Sequence, residues 1–196
     1  MTAPLETSRL VLRRWHISDI QPFAEMNSDP QVMEYFPRTA TFEQTASMVH
    51  TIETAFSEDD YGLWAVTLKD TGKFIGMVGL CKPKFDAHFT PCVEVGWRLD
   101  KNYWGKGFAS EAAEESMRDG FERIGLTEIV SMTAVLNQRS MRVMERLHMK
   151  RNPVDDFEHP MLDNGHPLKP HVLYRLTIEE WKTQQLQNTG NSTKTP

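Results

Sequence analysis

The segment from Glu94 to Ala112 constrains the fold of this 196-residue chain more than any other part of it. It begins with a strand-like run, continues through a short loop that holds Gly105 and Gly107, and ends in the start of a helix. The glycines let the backbone bend closely, and the N–H groups of the first helical turn have no acceptor within the helix. These amides and the helix dipole together make a site for an anion such as a pyrophosphate. Lys106 adds a positive charge and Ser110 a hydroxyl, although two glycines alone would also fit an ordinary tight turn.

Two well-known phosphate-binding loops are excluded by the spacing of this segment. A P-loop requires Gly-x-x-x-x-Gly-Lys-Ser/Thr, and that spacing does not occur here. The dinucleotide fingerprint Gly-x-Gly-x-x-Gly would need a glycine where Ser110 stands, and this loop does not open an alternating parallel fold.

The hydrophobic patterns on both sides of the segment predict an α+β fold built on one sheet. An antiparallel meander comes first, and a strand–helix–strand–helix–strand order follows it. The predicted elements, in chain order, are a strand at 9–13, helices at 19–28 and 41–57, strands at 63–68, 74–82 and 92–99, a helix at 108–124, a strand at 128–135, a helix at 137–147, a strand at 171–177 and a short helix at 178–184. Gly72 is expected to turn the hairpin between the strands at 63–68 and 74–82.

Composition and chain length predict a single globular domain. With 39% hydrophobic and 25% charged residues, residues 1–184 are expected to form one core, with residues 150–170 mostly loop. Residues 185–196 lack an apolar residue after Leu186 and are expected to be a disordered tail. No apolar stretch reaches the roughly 18 residues of a membrane span, and Met1–Ser8 lacks a signal-peptide pattern, so we expect a cytoplasmic protein and no membrane partner.

Charge and cysteine content narrow the function classes. A net charge of −5 argues against a nucleic-acid partner, which would require a basic stripe, and weakly favours a cationic substrate such as an amine. Cys81 and Cys92 are too few for a disulfide framework and lack zinc-ligand spacing, so we expect both to lie on strands as small apolar residues. His159, His166 and His171 match no metal motif either, so no metal is expected.

The run Tyr103-Trp-Gly-Lys-Gly-Phe-Ala109 resembles the acyl-CoA loop of the GNAT N-acetyltransferase superfamily, in its RimJ/RimL-like branch. The superfamily pattern is Arg/Gln-x-x-Gly-x-Gly/Ala, whose last two fixed positions fall on Gly107 and Ala109. The first falls on Trp104, a departure that leaves contacts through the backbone unaffected. The resemblance extends to the first strand, which begins Glu-Thr-Ser-Arg-Leu, and to an Asn-x-x-Ser helix start, and covers roughly residues 6 to 178.

This resemblance implies a mixed, mostly antiparallel sheet flanked by helices and splayed between its fourth and fifth strands. The main chain of Trp97, Arg98 and Leu99 would then pair with the pantetheine arm of acetyl-CoA, the co-substrate. The residues implied to hold the pyrophosphate, mainly through N–H groups, are Trp104, Gly105, Lys106, Gly107, Phe108, Ala109 and Ser110. Backbone N–H groups on the splayed strand would stabilise the oxyanion of the reaction.

Two residues of the Asn-x-x-Ser motif have both a functional and a structural interpretation. In the family Asn137 turns toward the pantetheine arm, and it would equally serve as the N-cap of the following helix. Ser140 is implied to protonate the leaving thiolate, or it only satisfies a backbone group. The tyrosine that many relatives use as the acid is replaced here by Met144. His148, in place of a usual glycine, is interpreted as a polar C-cap.

A general base would help because a protonated amine has no lone pair with which to attack. Glu94, on the strand that leads into the loop, is the best candidate, and an ordinary solvated strand residue is its other interpretation. Glu158 is a rival, because the loop that holds it borders the acceptor pocket in similar enzymes. For an α-amine, of which roughly 10–15% is neutral at pH 7, a water chain could suffice.

These features predict an acetyl-CoA-dependent N-acetyltransferase that acts on a primary amine, either a protein N-terminus or a small molecule, as a monomer or homodimer. A non-catalytic acyl-CoA sensor and an interaction domain that binds no nucleotide are the two alternatives. The regions expected to form the acceptor pocket, the two N-terminal helices and residues 150–170, carry no motif that identifies the acceptor.

Overall fold

A computed structural model describes residues 2–192, with side chains described for residues 2–187. The five helices of this part of the chain are α1 (Ile20–Ser28), α2 (Phe42–Asp59), α3 (Phe108–Asp119), α4 (Gln138–Arg146) and α5 (Ile178–Ser192). Its nine strands are β1 (Leu5–Glu6), β2 (Leu10–Arg13), β3 (Leu63–Leu68), β4 (Phe74–Cys81), β5 (Glu94–Leu99), β6 (Glu128–Ala134), β7 (Lys150–Arg151), β8 (Phe157–Glu158) and β9 (Pro170–Thr177).

All described strands belong to one open sheet of order β1-β2-β3-β4-β5-β6-β9-β7, and β8 pairs with β9. Every pair is antiparallel except β5–β6, which is parallel and has a single register pair, Glu94 with Val130. The two strands separate beyond that pair. The predicted mixed and splayed sheet is therefore confirmed, and the additional short β1 makes the separating strands the fifth and sixth.

Local sequence signals account for several element boundaries. Thr41 caps α2 by accepting a hydrogen bond from the N–H of Gln44, whose side chain in turn accepts one from the N–H of Thr41. Gly72 turns the β3–β4 hairpin at a φ of 67°, and Gly125 stops the helical segment before β6 at a φ of 81°. These three boundaries were predicted from the sequence, and each depends only on neighbouring residues.

The two faces of β5 point toward different helices, because successive side chains of a strand alternate between faces. Glu94, Gly96 and Arg98 share one face, here called the α1 face, where Arg98 hydrogen-bonds to Asn27 of α1. Trp97 lies on the other, here called the α3 face, where α3 and α4 pack and close the main hydrophobic core. The functional site described below has one wall on each face.

Some boundaries differ from the predicted ones. The helix predicted at 108–124 changes to a π-helical turn over Gly120–Ile124, and the strand predicted from Cys92 begins at Glu94, which leaves Cys92 outside it. Residues 150–170, predicted as loop, contain β7 and β8 because both pair with β9.

The C-terminal helix is longer than predicted. It continues past Gln184 to Ser192, into the segment 185–196 that was expected to be disordered. Trp181, buried against Phe121 with ring centroids 5.5 Å apart, anchors its first turns, and no proline or glycine interrupts the run before Gly190. Residues 193–196 of the expected tail lie outside the described residues.

Candidate active site at the opening between β5 and β6

A cavity of about 540 Å³ lies where β5 and β6 separate. Of the predicted site residues it brings together Glu94, Trp97, Arg98, Leu99, Trp104, Gly105, Gly107, Phe108, Ala109, Ser110, Asn137 and Ser140. Lys106 is not among the lining residues: its Nζ lies 5.3 Å from the centroid of the Tyr103 ring, and its carbonyl accepts a 3.0 Å hydrogen bond from Arg9.

The glycine loop forms one end of the cavity and presents free N–H groups. Gly105 and Gly107 have φ values of 74° and 82°, and Gly107 is the N-cap of α3 without any side-chain cap. The N–H groups of the first turn of α3 are therefore available to an anion. Ser110, in that turn, has a buried hydroxyl oxygen with no hydrogen-bond partner among the described residues. Such an orphaned polar atom fits a phosphate-binding role.

Hydrogen bonds along β5 decide which main-chain groups face the opening. The N–H of Val130 donates to the carbonyl of Val93 across β5–β6, whereas the N–H of Asp100 donates to the carbonyl of Ile75 on β4, both at 2.9 Å. Main-chain groups of odd-numbered β5 residues therefore point toward β6 and those of even-numbered residues toward β4. The peptide groups of Trp97 thus face the opening.

The alternating direction of the β5 main-chain groups changes what was expected of Arg98 and Leu99. The main chain of Arg98 faces β4, so it is not placed to pair with a ligand in the opening, as the resemblance had implied. The carbonyl of Leu99 already accepts a 2.8 Å hydrogen bond from Nε1 of Trp104. Trp97 is consequently the residue whose peptide groups are best placed for that pairing.

Ser140 lies in the first turn of α4 and is held by two donors. Its Oγ accepts hydrogen bonds from Nε1 of Trp97 at 3.3 Å and from Nδ2 of Asn137 at 3.0 Å. Asn137 is the N-cap of α4: its Oδ1 accepts from the Ser140 N–H at 3.1 Å, and its Nδ2 also donates to Thr133. Within the described chain the Ser140 hydroxyl donates to no acceptor, so its proton faces the cavity uncommitted.

Glu94 stands on the α1 face where the β5–β6 pairing ends. Burial raises the pKa of its carboxyl to about 7, against the opposing effect of hydrogen bonds from the Met132 N–H and the Cys81 thiol. The Cys81 Sγ lies 3.9 Å from Oε2. A carboxyl that titrates near neutral pH matches the requirement for a general base at physiological pH.

A family model described as an acetyltransferase (GNAT) domain matches residues 9–150, more than half of the chain. The chain belongs to the GNAT acetyltransferase family. It is 30% identical over 177 residues to the uncharacterized N-acetyltransferase YnaD of Bacillus subtilis (strain 168), with 90% of this chain and 98% of that protein covered. With the FsC-acetyl coenzyme A-N(2)-transacetylase of Aspergillus fumigatus it shares 31% identity over 177 residues, covering 82% of this chain and 70% of that protein.

A solved structure shows the same family relationship. The crystal structure of a GNAT-family acetyltransferase from Bacillus anthracis matches with a TM-score of 0.75 at 28% identity. The match covers 91% of this chain and 100% of the Bacillus anthracis chain. This GNAT chain is thus an N-acetyltransferase by family, and GNAT enzymes use acetyl-CoA as co-substrate. Its RimJ/RimL-like branch stays a prediction.

Several residues of the GNAT cavity were not predicted to belong to a functional site. Tyr35 and Phe36, from the segment between α1 and α2, line it, as does Cys81, which had been interpreted only as a small apolar residue. His159 and His171 also line it, with ring centroids 4.9 Å apart, and burial lowers the pKa of both. None of these residues lies in a recognisable motif, so no sequence signal marked them.

Three other residues named from the sequence have no role in the proposed chemistry. Glu158, the rival base, is 72% exposed at its side chain, pairs with Lys169, and does not line the cavity. Met144 is buried and lines the cavity, but its side chain has no proton to donate. His148 follows the end of α4 at a φ of 57°, the left-handed conformation of a helix stop. In the described part of the chain, no helix is long and apolar enough to cross a membrane.

Proposed function

We propose that this GNAT chain transfers the acetyl group of acetyl-CoA to a primary amine by direct attack of the amine on the thioester. The observation that carries the proposal is the two-sided opening between β5 and β6. An uncapped glycine loop and Ser140 lie at its α3 face, and Glu94 lies at its α1 face. The acceptor is a protein N-terminus or a small-molecule amine.

Acetyl-CoA would lie along the α3 face. Its pyrophosphate binds the N–H groups of the first turn of α3 and the orphaned hydroxyl of Ser110. Its pantetheine arm donates a hydrogen bond to the carbonyl of Trp97 as a missing strand would, which takes the thioester toward Ser140 and leaves the Trp97 N–H free. Asn137 caps α4 and donates a hydrogen bond to the Ser140 hydroxyl, so in this arrangement it positions Ser140 and does not contact the pantetheine arm itself.

The chemistry then follows from the positions of the groups. The neutral amine attacks the carbonyl carbon, a C–N bond forms, and the Trp97 N–H is placed to stabilise the oxyanion. The C–S bond then breaks. Glu94 accepts the proton that the amine nitrogen loses, directly or through water, and the Ser140 hydroxyl supplies a proton to the leaving thiolate. The proton held by Glu94 then restores the serine through solvent, so no net proton is gained or lost.

Incubation of the protein with acetyl-CoA and a pooled amine library tests the proposal. The assay measures thiol release and identifies acetylated products by mass spectrometry. We expect amine-dependent thiol release and a product heavier by one acetyl group. A CoA-induced rise in Tm without amine-dependent release would instead make the chain a non-catalytic acyl-CoA sensor, and no rise in Tm would leave an interaction domain.

A further inference from the structure

Arg98 is a buried cation without an anionic partner in the described part of the chain. Only 8% of its surface is exposed, yet none of the carboxylates in the described chain forms an ion pair with it. Its Nη1 donates a 2.8 Å hydrogen bond to the neutral Oδ1 of Asn27, and its guanidinium lies 4.1 Å from the centroid of the Phe36 ring. Its Nε is buried with no acceptor among the described residues.

This arrangement costs free energy in the unliganded protein. Burying a charge without a counterion is strongly unfavourable, and here burial lowers the pKa of the guanidinium to about 10. The amide of Asn27 and the ring of Phe36 compensate only in part, since neither carries a negative charge. A bound anion would supply the missing partner, because a guanidinium is the side chain best shaped to bind a carboxylate through two parallel hydrogen bonds.

The position of Arg98 shows which bound molecule would carry that anion. Its side chain lines the cavity from the α1 face, whereas the glycine loop and Ser140 lie at the α3 face. Glu94 is on the same face of β5, and its Cα lies about 13 Å from that of Arg98 along the strand. Between them stands Gly96, where a Cβ would meet no heavy atom within 4 Å. The surface of β5 between the Glu94 carboxyl and the Arg98 guanidinium is therefore open.

We propose that Arg98 binds a carboxylate of the acceptor, so that the enzyme acetylates amines that also carry a carboxylate, such as free amino acids. The amine of the acceptor would point along β5 toward Glu94 and the thioester, and its carboxylate would point toward Arg98. The proposal rests on the proposed acetyl transfer and narrows its acceptor to a small amino acid rather than a protein N-terminus or a polyamine.

Matched pairs of acceptors provide the test. Each pair consists of an amino acid and its amide, for example L-methionine and L-methioninamide, or β-alanine and its amide. Because an amide has the lower amine pKa, kcat/KM is expressed per neutral amine. We expect the wild-type enzyme to prefer the acids by about 10- to 100-fold, the range expected for a hydrogen bond to a charged group. Equal use of acids and amides by the wild type would overturn the proposal, whatever the variants do.

Substitutions at Arg98 then separate binding from structure. Arg98→Gln should raise KM for the acids and reduce the preference to within about twofold, whereas Arg98→Lys should retain part of it because the charge remains. Arg139→Gln removes another guanidinium that lines the same cavity but is already paired with Glu34, so it should leave the acid-over-amide ratio unchanged. A loss of equal size for acids and amides in Arg98→Gln would mean that Arg98 only holds α1 and Phe36 in place.

A binding measurement keeps the inference independent of catalysis. Propionate should raise the Tm of the wild-type protein and should raise that of Arg98→Gln much less. If no amine in the panel is acetylated, acetyl transfer is refuted while this measurement still tests the anion site. If propionate shifts both proteins equally, or neither, the anion site is refuted even where amines are acetylated.

Discussion

Nε1 of Trp97 donates a 3.3 Å hydrogen bond to Oγ of Ser140, across the 43 residues that separate them in sequence. Because Nδ2 of Asn137 donates to the same oxygen, both lone pairs of the hydroxyl are engaged and its proton remains available. The tyrosine position of related enzymes holds the buried Met144 here, which cannot donate a proton. The proposed mechanism therefore assigns the proton for the leaving sulfur to Ser140.

Replacement of Ser140 by alanine tests that role. We expect Ser140→Ala to lower kcat in single-turnover acetylation while CoA affinity, measured by calorimetry, stays nearly unchanged, because the loop contacts remain. General acid catalysis is worth about 10²–10⁴-fold, and we expect the lower end because a thiol of pKa near 8.5 is a fair leaving group. Ser140→Cys retains a donor and should recover part of the rate. An unchanged kcat in Ser140→Ala would exclude the serine as the acid.

The pH dependence of catalysis tests Glu94. With an acceptor amine that stays neutral throughout, kcat/KM of the wild type should rise with pH through an apparent pKa near 7, because only the ionised carboxylate accepts a proton. Glu94→Gln should lose this rise and be slow at all pH values. The exposed Glu158 serves as the control, since Glu158→Gln should keep the wild-type profile. A rise that persists in Glu94→Gln would assign the base to another group.

The raised pKa of Glu94 also predicts an effect on stability. Between the ordinary carboxyl pKa of 4.5 and the folded value of about 7, the folded state holds more protons than the unfolded state, so the free energy of unfolding falls as pH rises. Glu94→Gln has no carboxyl to titrate at this position, so its free energy of unfolding should not fall in this way. It should equal the wild type near pH 4 and exceed it by up to about 3 kcal/mol above pH 7.

Urea denaturation at three pH values between 4 and 8 measures this difference. Glu158→Gln, whose carboxyl is exposed, should parallel the wild type at each pH. A constant difference between Glu94→Gln and the wild type would show that Glu94 is not desolvated in the folded protein. The expected gain has a functional cost, because the substitution that stabilises the fold removes the proposed base.

CoA binding should depend on the backbone of the glycine loop more than on Lys106. Lys106→Ala should weaken CoA binding by no more than about fivefold, since an exposed ion pair is worth about 0–1 kcal/mol. Gly107→Val should weaken it far more, because the valine crowds the phosphate path and disfavours the φ of 82°. Gly72→Val imposes similar strain at a φ of 67° in a distant hairpin and should preserve CoA affinity. Equal losses in Lys106→Ala and Gly107→Val, measured by calorimetry, would contradict an anion site made of N–H groups.

Local sequence patterns determined the elements and the loop of this protein. The alternation of β2, the capping box at Thr41 and the turn at Gly72 each depend on residues a few positions apart, so the sequence shows them directly. The glycine loop before α3 was also visible in the sequence, although its interpretation as an anion site came from the resemblance and not from the two glycines alone. The length of α5 was underestimated, although no proline or glycine interrupts its sequence before Gly190.

Only the tertiary structure decided the chemical state of the site. The pKa of Glu94 reflects its burial and the donors Met132 and Cys81, which lie on other strands. The orientation of Arg98 follows from strand alternation, and its missing counterion becomes visible only beside Asn27, 71 residues away. Protonation and desolvation depend on every group within a few ångströms, whatever its place in the chain, and the sequence order does not specify those neighbours.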